Sequence, residues 1–177
     1  MPKPTHADAE LLLHLYEMRR EPELRRARKW MMSEFKATTW ADIKSRYLSN
    51  VDDDRWFRMT TSYWEMLATM VNRGVLHAEL FFDHTGEDIP TWDRCKAFIA
   101  GVRADIRPSY LIQFERMVTA HLEYRKKVNA AVIAEAQRPA TASTDGKRAR
   151  LSAAAKGAAA PRSARSAEPE RASGRRR

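Results

Sequence analysis

Five side chains that could bind a metal ion or transfer protons lie within eleven consecutive residues. They are His77, Glu79, Asp83, His84 and Glu87. Histidine nitrogens and carboxylate oxygens bind divalent metals and act as general acids or bases. Ferritin-like metal sites need Glu-x-x-His on two helices, and this sequence has no Glu-x-x-His. The spacing therefore favours a polar loop at a capped helix end, with a metal site as the alternative.

The other candidate residues occur singly. Cys95 is the only cysteine, so the sequence excludes an intrachain disulfide and a multi-cysteine metal site. The His-x-Glu at His77 consequently lacks the cysteine ligands that zinc deaminases need. Cys95 and His121 lie on apolar stripes, which predicts buried core residues. Glu65 lies between Trp64 and Met66 and is the acid whose burial should be checked. A buried carboxylate usually has an arginine partner, and a structural ion pair is more common than a catalytic acid.

The common catalytic and nucleotide-binding motifs are absent from the sequence. It contains no GxGxxG, GxxxxGK[ST], HExxH or GxSxG pattern. This absence favours a non-enzymatic protein, and no cofactor is predicted.

Helices must position these residues, because apolar side chains recur at steps of three and four almost throughout residues 1–137. The strongest stripe lies in residues 54–73 and consists of Phe57, Thr60, Trp64, Leu67 and Val71. A helix with this pattern is expected to be central. Three aspartates at 52–54 precede it, and Gly74 follows it. Both features are typical of helix ends.

The remaining helices are predicted from capping residues and prolines. Thr5 and Asp8 form a capping-box pattern, and the helix that follows has Leu12, Leu13 and Tyr16 on one side. Further helices are predicted to begin at Pro22, Pro90 and Pro108. Two short helices are predicted at residues 40–47 and 79–82.

These elements predict an all-α protein. About four long and two short helices with short connections favour a compact antiparallel helical bundle. No alternating pattern bounded by hairpin turns indicates a sheet.

The net charge of +9 comes mainly from the last forty residues. Residues 138–177 contain 11 Lys and Arg against 3 Asp and Glu, whereas residues 1–137 contain 21 against 20. All 16 aromatic residues precede residue 125. A segment with so little apolar surface is predicted to be a disordered basic tail. The predicted domains are therefore residues 1–137 and 138–177.

The basic tail is a candidate polyanion-binding segment. Its cations could neutralise phosphates without reading sequence, and the lack of aromatic residues excludes base stacking there. The candidate residues are Lys147, Arg148, Arg150, Lys156, Arg162, Arg165, Arg171, Arg175, Arg176 and Arg177. A solvated extension without a selected partner is the alternative interpretation.

A membrane-spanning segment is excluded by the charge pattern. The longest runs without a charged residue have seven positions, for example residues 66–72, against about 20 needed to cross a bilayer. No secretory leader is recognisable, so a cytoplasmic location is expected.

Three segments carry a family resemblance. They are Leu15–Arg20 before Pro22, Ser62–Met66, and Glu79–Asp83 before Gly86. The chain resembles an uncharacterised bacterial family of small helical proteins, a domain of unknown function, from roughly Ala9 to Tyr124. The resemblance implies a compact helical domain and implies no catalytic residue, cofactor or substrate.

The leading functional hypothesis is a non-enzymatic helical protein-interaction module with a cationic tail. Its partner would be another protein, a second copy, or both. The first alternative is a nonspecific nucleic-acid-associated protein that binds phosphates through the tail. The second is a metal-dependent enzyme that uses His77, His84 and nearby acids.

Overall fold

The computed structural model describes residues 3–138, which form seven helices and no strand. The predicted all-α fold is confirmed. The helices are α1 (His6–Met18), α2 (Pro22–Ser33), α3 (Trp40–Asp42, continued by a π-helical turn at Ile43–Tyr47), α4 (Val51–Asn72), α5 (Ala78–His84), α6 (Asp88–Asp105) and α7 (Ile112–Ala136). Within residues 3–138, no helix is long and apolar enough to cross a membrane.

The chain divides into two units, residues 1–132 and 133–177. The first unit contains α1 to α6 and most of α7. Of the second unit, the structure describes residues 133–138, where Arg138 and Glu135 form an ion pair of 3.1 Å. The predicted disorder of the basic tail and its ten candidate polyanion-binding residues, Lys147 to Arg177, lie outside the described residues.

The core is built around α4. Its predicted stripe is buried, with exposed fractions of 6% or less for Phe57, Thr60, Trp64, Leu67 and Val71. At its start, the Asn50 side chain accepts hydrogen bonds from the next helical amides at 3.0 and 3.3 Å. At its end, Gly74 has a φ of 70°, the left-handed conformation that glycine adopts without steric cost.

Aromatic rings fix α6 and α7 against α4. Trp64 of α4 stacks on Phe114 of α7 with ring centroids 5.6 Å apart, and Trp92 of α6 meets the same Phe114 edge-on at 5.4 Å. Such pairs stabilise a core by about 0.5–1.5 kcal/mol each beyond their area burial. The Trp64 ring is thereby held at the junction of three helices.

A close helix contact positions α3 on α6. A Cβ atom at Gly101 would lie 2.5 Å from Cβ of Trp40, so only glycine permits this approach. The Trp40 indole N–H donates to Asp105 at 2.7 Å, and the Lys44 ammonium group pairs with the same carboxylate at 2.8 Å. Thr39 caps α3 as a capping box with Asp42, and the short helix predicted at 40–47 is present.

The predicted apolar side of α1 is wrong, although its capping box of Thr5 and Asp8 is confirmed. The side chain that enters the core is Leu15, at 3% exposed. Leu13 and Tyr16 are 65% and 51% exposed. α1 carries leucines at several angles around its axis, so periodicity alone could not select the face that packs.

The predicted start of the last helix at Pro108 is also wrong, because α7 begins at Ile112. Residues 108–111 form a turn that ends in Leu111, which is 2% exposed and has a φ of 50°. Burial of the Leu111 side chain offsets this uncommon conformation. α6 likewise begins at Asp88, two residues before the predicted Pro90, which lies in its first turn.

Candidate functional site

An apolar cavity of about 380 Å³ lies between α1, α4 and α5. This volume falls within the range of about 300–1,000 Å³ that is usual for small-molecule pockets. Its apolar wall is formed by Leu12, Leu13, Leu15, Tyr16, Leu67 and Phe81. The cavity exists because α1 buries Leu15 rather than Leu13 and Tyr16, which therefore border the opening.

Three residues in the same wall carry buried polar atoms with no hydrogen-bond partner among the described residues. These atoms are Nε of Arg19, Nε1 of Trp64 and Oγ1 of Thr85. Trp64 is 0% exposed and Thr85 is 8% exposed. Leaving a buried polar group unpaired costs about 1–3 kcal/mol, so native structures seldom do so without reason. These atoms have almost no accessible surface, so a ligand in the cavity pairs with them only when the wall side chains move.

Arg19 also belongs to a charge cluster beside the cavity. Its Nη2 donates to Oε2 of Glu87 at 2.7 Å, and Nε of Arg28 donates to Oε1 of Glu87 at 2.6 Å. Arg28 Nη2 makes a second bond to Glu87, and its Nη1 donates to the Arg19 carbonyl at 2.9 Å. Two guanidinium groups thus face one carboxylate, and the cluster has a net positive charge.

The cluster keeps Glu87 ionised. Burial raises the pKa of its carboxyl, but the hydrogen bond and charge of Arg28 and the charge of Arg19 lower it more, so the pKa lies below 4.5. The same hydrogen bond raises the pKa of Arg28. A carboxylate held in this state is a counter-ion rather than a proton donor.

Next to Glu87 in the chain, Asp88 forms a fully buried pair with His121. The two side chains are 0% exposed, and Nδ1 of His121 lies 2.7 Å from Oδ2 of Asp88. Nε2 of His121 accepts a hydrogen bond from Nε of Arg125 at 3.1 Å. Nδ1 is thus the ring nitrogen that can donate to the Asp88 carboxylate.

Packing encloses this pair on its other sides. The His121 ring stacks on Phe82 of α5 with centroids 4.6 Å apart, and Nη2 of Arg125 donates to the Thr85 carbonyl at 3.1 Å. Through these contacts the pair joins α5, α6 and α7. Because solvent cannot reach either side chain, neither can contact a substrate. His121 is the buried, hydrogen-bonded histidine that its apolar stripe predicts.

The five polar residues from His77 to Glu87 do not converge. His77 caps α5 by accepting the Leu80 amide at Nδ1 over 3.2 Å, while Asp83 accepts the Tyr124 hydroxyl at 2.5 Å. His84 lines the cavity and contacts its own helix carbonyl. Within residues 3–138, no group of three or more His, Cys, Asp or Glu could hold a metal ion.

Two other candidates have structural surroundings. Glu65 is half-buried, but its partners are backbone amides rather than an arginine: it accepts from Gln113 at 3.2 Å and Phe114 at 2.8 Å. It thereby caps the start of α7. Cys95 is 0% exposed, and burial raises the pKa of its thiol to about 12. A thiol in this state is not a nucleophile.

Sequence reasoning missed Arg19, Arg28 and Asp88. Arg19 and Arg28 are common surface residues by type, and their partner Glu87 is 68 and 59 positions away. Asp88 stands in the first turn of α6, where an acid is ordinarily explained by the helix dipole. The only local signal was the proximity of Glu87 to a predicted helix start.

Comparison with known families gives one match. A family model described as "Domain of unknown function (DUF4760)" matches residues 4–125. The resemblance seen in three sequence segments is confirmed. No curated protein and no solved structure matches the chain.

Proposed function

The chain belongs to the DUF4760 family of domains of unknown function. From its surface, we propose that it is a non-enzymatic module that binds an acidic amphipathic helix of a partner protein. A methionine-lined groove between α1, α2 and α4 carries this proposal. A cytoplasmic location is part of it, and suits a chain with a single cysteine.

The groove has the side chains that helix-binding surfaces use. Its volume is about 350 Å³, and it is lined by Met18, Leu24, Met59, Ser62, Tyr63 and Met66. Met18 and Met66 are 43% and 37% exposed. Methionine is unbranched and polarisable, so it adapts to the apolar face of different helices. Burial of these side chains under a partner would remove apolar surface from water.

Two arginines close in sequence to groove residues are the basis for proposing an acidic partner. Arg20 follows Met18 by two positions, and Arg25 follows Leu24. Arg25 donates from Nη2 to the Arg20 carbonyl at 3.2 Å. Neither arginine forms an ion pair with a carboxylate among residues 3–138. Acidic side chains on a docked helix would be complementary to them and would speed association.

NMR of methionine methyl groups tests this proposal. The full chain is titrated with two synthetic helices that share one leucine stripe, one with glutamates and one with lysines on the polar face. The acidic helix is expected to shift the signals of Met18, Met59 and Met66 saturably. The buried Met31 and Met117, both 0% exposed, should not respond.

Two matched variants on α4 provide the control. Met66→Glu places a like charge in the groove and should abolish the shifts, whereas Val51→Glu, at a position that is 84% exposed, should leave them unchanged. An equal response to both peptides, or to neither, would contradict the proposal. Line broadening that grows with protein concentration before any peptide is added would identify a second copy as the partner instead.

A second candidate function is supported by the charge count of residues 138–177. These residues include 11 cations and only 3 anions. We propose that they bind nucleic acid without sequence specificity. Affinity of the full chain for duplex DNA should fall with salt, with a log–log slope of about −0.9 per neutralised phosphate. A shortened chain ending at Gln137 should lose nearly all binding. Equal binding by both chains would exclude this function.

A further inference from the structure

The cavity between α1, α4 and α5 presents apolar surface to water at its opening. Leu13 and Tyr16 border it with exposed fractions of 65% and 51%, while Leu12 and Phe81 lie in its wall. An aliphatic body inserted here would remove surface of both the ligand and these side chains from water. The shape and lining of the cavity therefore favour a ligand with an aliphatic chain.

Two donors in the wall have no acceptor among the described residues. The Arg19 guanidinium lies over the Trp64 ring, 5.9 Å from its centroid, so their free N–H groups belong to adjoining side chains. Neither the guanidinium Nε nor the indole Nε1 can accept a hydrogen bond. The Thr85 hydroxyl, also unpaired, can donate as well. A group with two acceptor atoms would pair with them.

The charge around the cavity favours an anionic acceptor. Arg19 and Arg28 share a single carboxylate, Glu87, so one positive charge remains uncompensated there. None of the described residues that line the cavity is an aspartate or a glutamate. Charge-assisted hydrogen bonds from a guanidinium to a carboxylate are stronger than those to a neutral acceptor. A protonated amine, by contrast, would bring a further positive charge close to Arg19 and Arg28.

We propose that this cavity binds an aliphatic carboxylic acid of the size of a medium-chain fatty acid. Its chain lies among the leucines of α1 and Phe81 of α5. Its carboxylate pairs with the Arg19 guanidinium, and it accepts a hydrogen bond from Trp64 once the wall side chains turn toward the cavity. The site shares Tyr63 with the methionine-lined groove but does not rest on the proposed binding of a partner helix.

Calorimetry with three probes of equal chain length tests the proposal on the full chain. Decanoate, decan-1-ol and decylamine differ only in the head group and are used below their micellar concentrations. Decanoate is expected to bind saturably with one site per chain, about tenfold more tightly than decan-1-ol. Decylamine should give no saturable binding.

Variants locate the bound molecule. Leu13→Trp places a larger side chain at the opening of the cavity and should weaken decanoate binding by about tenfold. Its control is Ile106→Trp at the end of α6, a position that is 58% exposed and does not line the cavity, and it should bind normally. Thr85→Val removes one hydroxyl and should weaken binding of decanoate by about threefold while leaving decan-1-ol unaffected.

Each remaining outcome overturns the proposal. Decanoate binding that survives Leu13→Trp would place the ligand elsewhere, for example on the cations of residues 138–177. Equal affinities for decanoate and decan-1-ol would exclude the role of Arg19 and Trp64, and absence of saturable binding would exclude the site. If the Leu13→Trp variant fails to fold, the decanoate affinity of the Thr85→Val variant tests the site by itself. Met66→Glu, which blocks the methionine-lined groove, should leave decanoate binding intact.

Discussion

Glu87 and Asp88 are neighbours in the chain with the same chemistry and opposite surroundings. Glu87 faces α1 and α2, where Arg19 and Arg28 hold it with 20% of its side chain exposed. Asp88 faces α7, where His121 and Asp88 are 0% exposed. The first carboxylate is outnumbered by two guanidinium groups, and one of these, that of Arg19, lines the cavity. The second pairs through Oδ2 with His121 and is sealed from solvent, while its Oδ1 has no partner among the described residues. Solvent access and residual charge therefore distinguish a candidate binding region from a structural pair.

Removal of the sealed carboxylate is expected to have the largest effect on stability. Asp88→Ala leaves the Nδ1–H group of His121 buried without an acceptor, and the free energy of unfolding is expected to fall by about 3–5 kcal/mol. Asp88→Asn keeps an acceptor and should lose less than half as much. Urea denaturation monitored by tryptophan fluorescence measures both. A loss below about 1 kcal/mol for Asp88→Ala would mean that the pair does not hold the helices together.

Removing the other carboxylate should cost less. Glu87→Ala leaves Arg19 and Arg28 without a counter-ion, but both retain partial contact with water, with side chains 18% and 17% exposed. The expected loss in the free energy of unfolding is about 1–3 kcal/mol, by the same urea assay. A double-mutant cycle with Arg28→Met should show a coupling of about 1 kcal/mol or more. Additive effects would show that the ion pair contributes nothing by itself.

A third carboxylate, that of Glu65, forms no ion pair with any cation of residues 3–138 and is held by backbone amides instead. Glu65 accepts the amides of Gln113 and Phe114 at the start of α7. Glu65→Ala should reduce the free energy of unfolding by about 1 kcal/mol, as expected for the loss of a helix cap. Hydrogen exchange provides a local measurement, because the amides of Gln113 and Phe114 should exchange faster than those of Met117 and Val118. Unchanged exchange at those two amides would contradict the capping role.

The smallest expected effect is a dependence of stability on acid pH. The pKa of Glu87 is lower in the folded chain than its ordinary 4.5, so the unfolded chain binds its proton more readily. Its contribution to stability is therefore present above pH 4.5 and is lost as the pH falls through the lower folded pKa. Glu87→Gln should remove this contribution. Urea midpoints of the two proteins should thus converge on acidification, and a constant difference would refute the assignment.

Much of the fold follows from local sequence. α4 could be predicted because its stripe from Phe57 to Val71 agrees with aspartates at one end and Gly74 at the other. α1 was harder, since its leucines surround the helix and tertiary packing chose Leu15. The start of α7 was missed because Glu65, from another helix, supplies the acceptors that permit a start at Ile112.

The candidate site was less predictable than the fold. The bonds of Glu87 to Arg19 and Arg28 join residues far apart in the chain, and no local pattern marks such partners. The unpaired atoms of Trp64 and Thr85 become evident only once every neighbouring group is placed. Periodicity could place His121 on a buried face but could not identify Asp88 as its partner.

Tyr63 has a consequence for how the two proposed sites would act together. Its ring borders both the cavity and the methionine-lined groove, and its hydroxyl donates to the Leu15 carbonyl of α1 at 3.3 Å. A ligand in the cavity that displaces the Tyr63 ring would change the shape of the methionine-lined groove, and a helix bound in the groove would likewise change the cavity. By thermodynamic reciprocity, the factor by which a fatty acid alters helix affinity equals the factor by which the helix alters fatty-acid affinity. A single tyrosine would then make the protein a lipid-responsive adaptor.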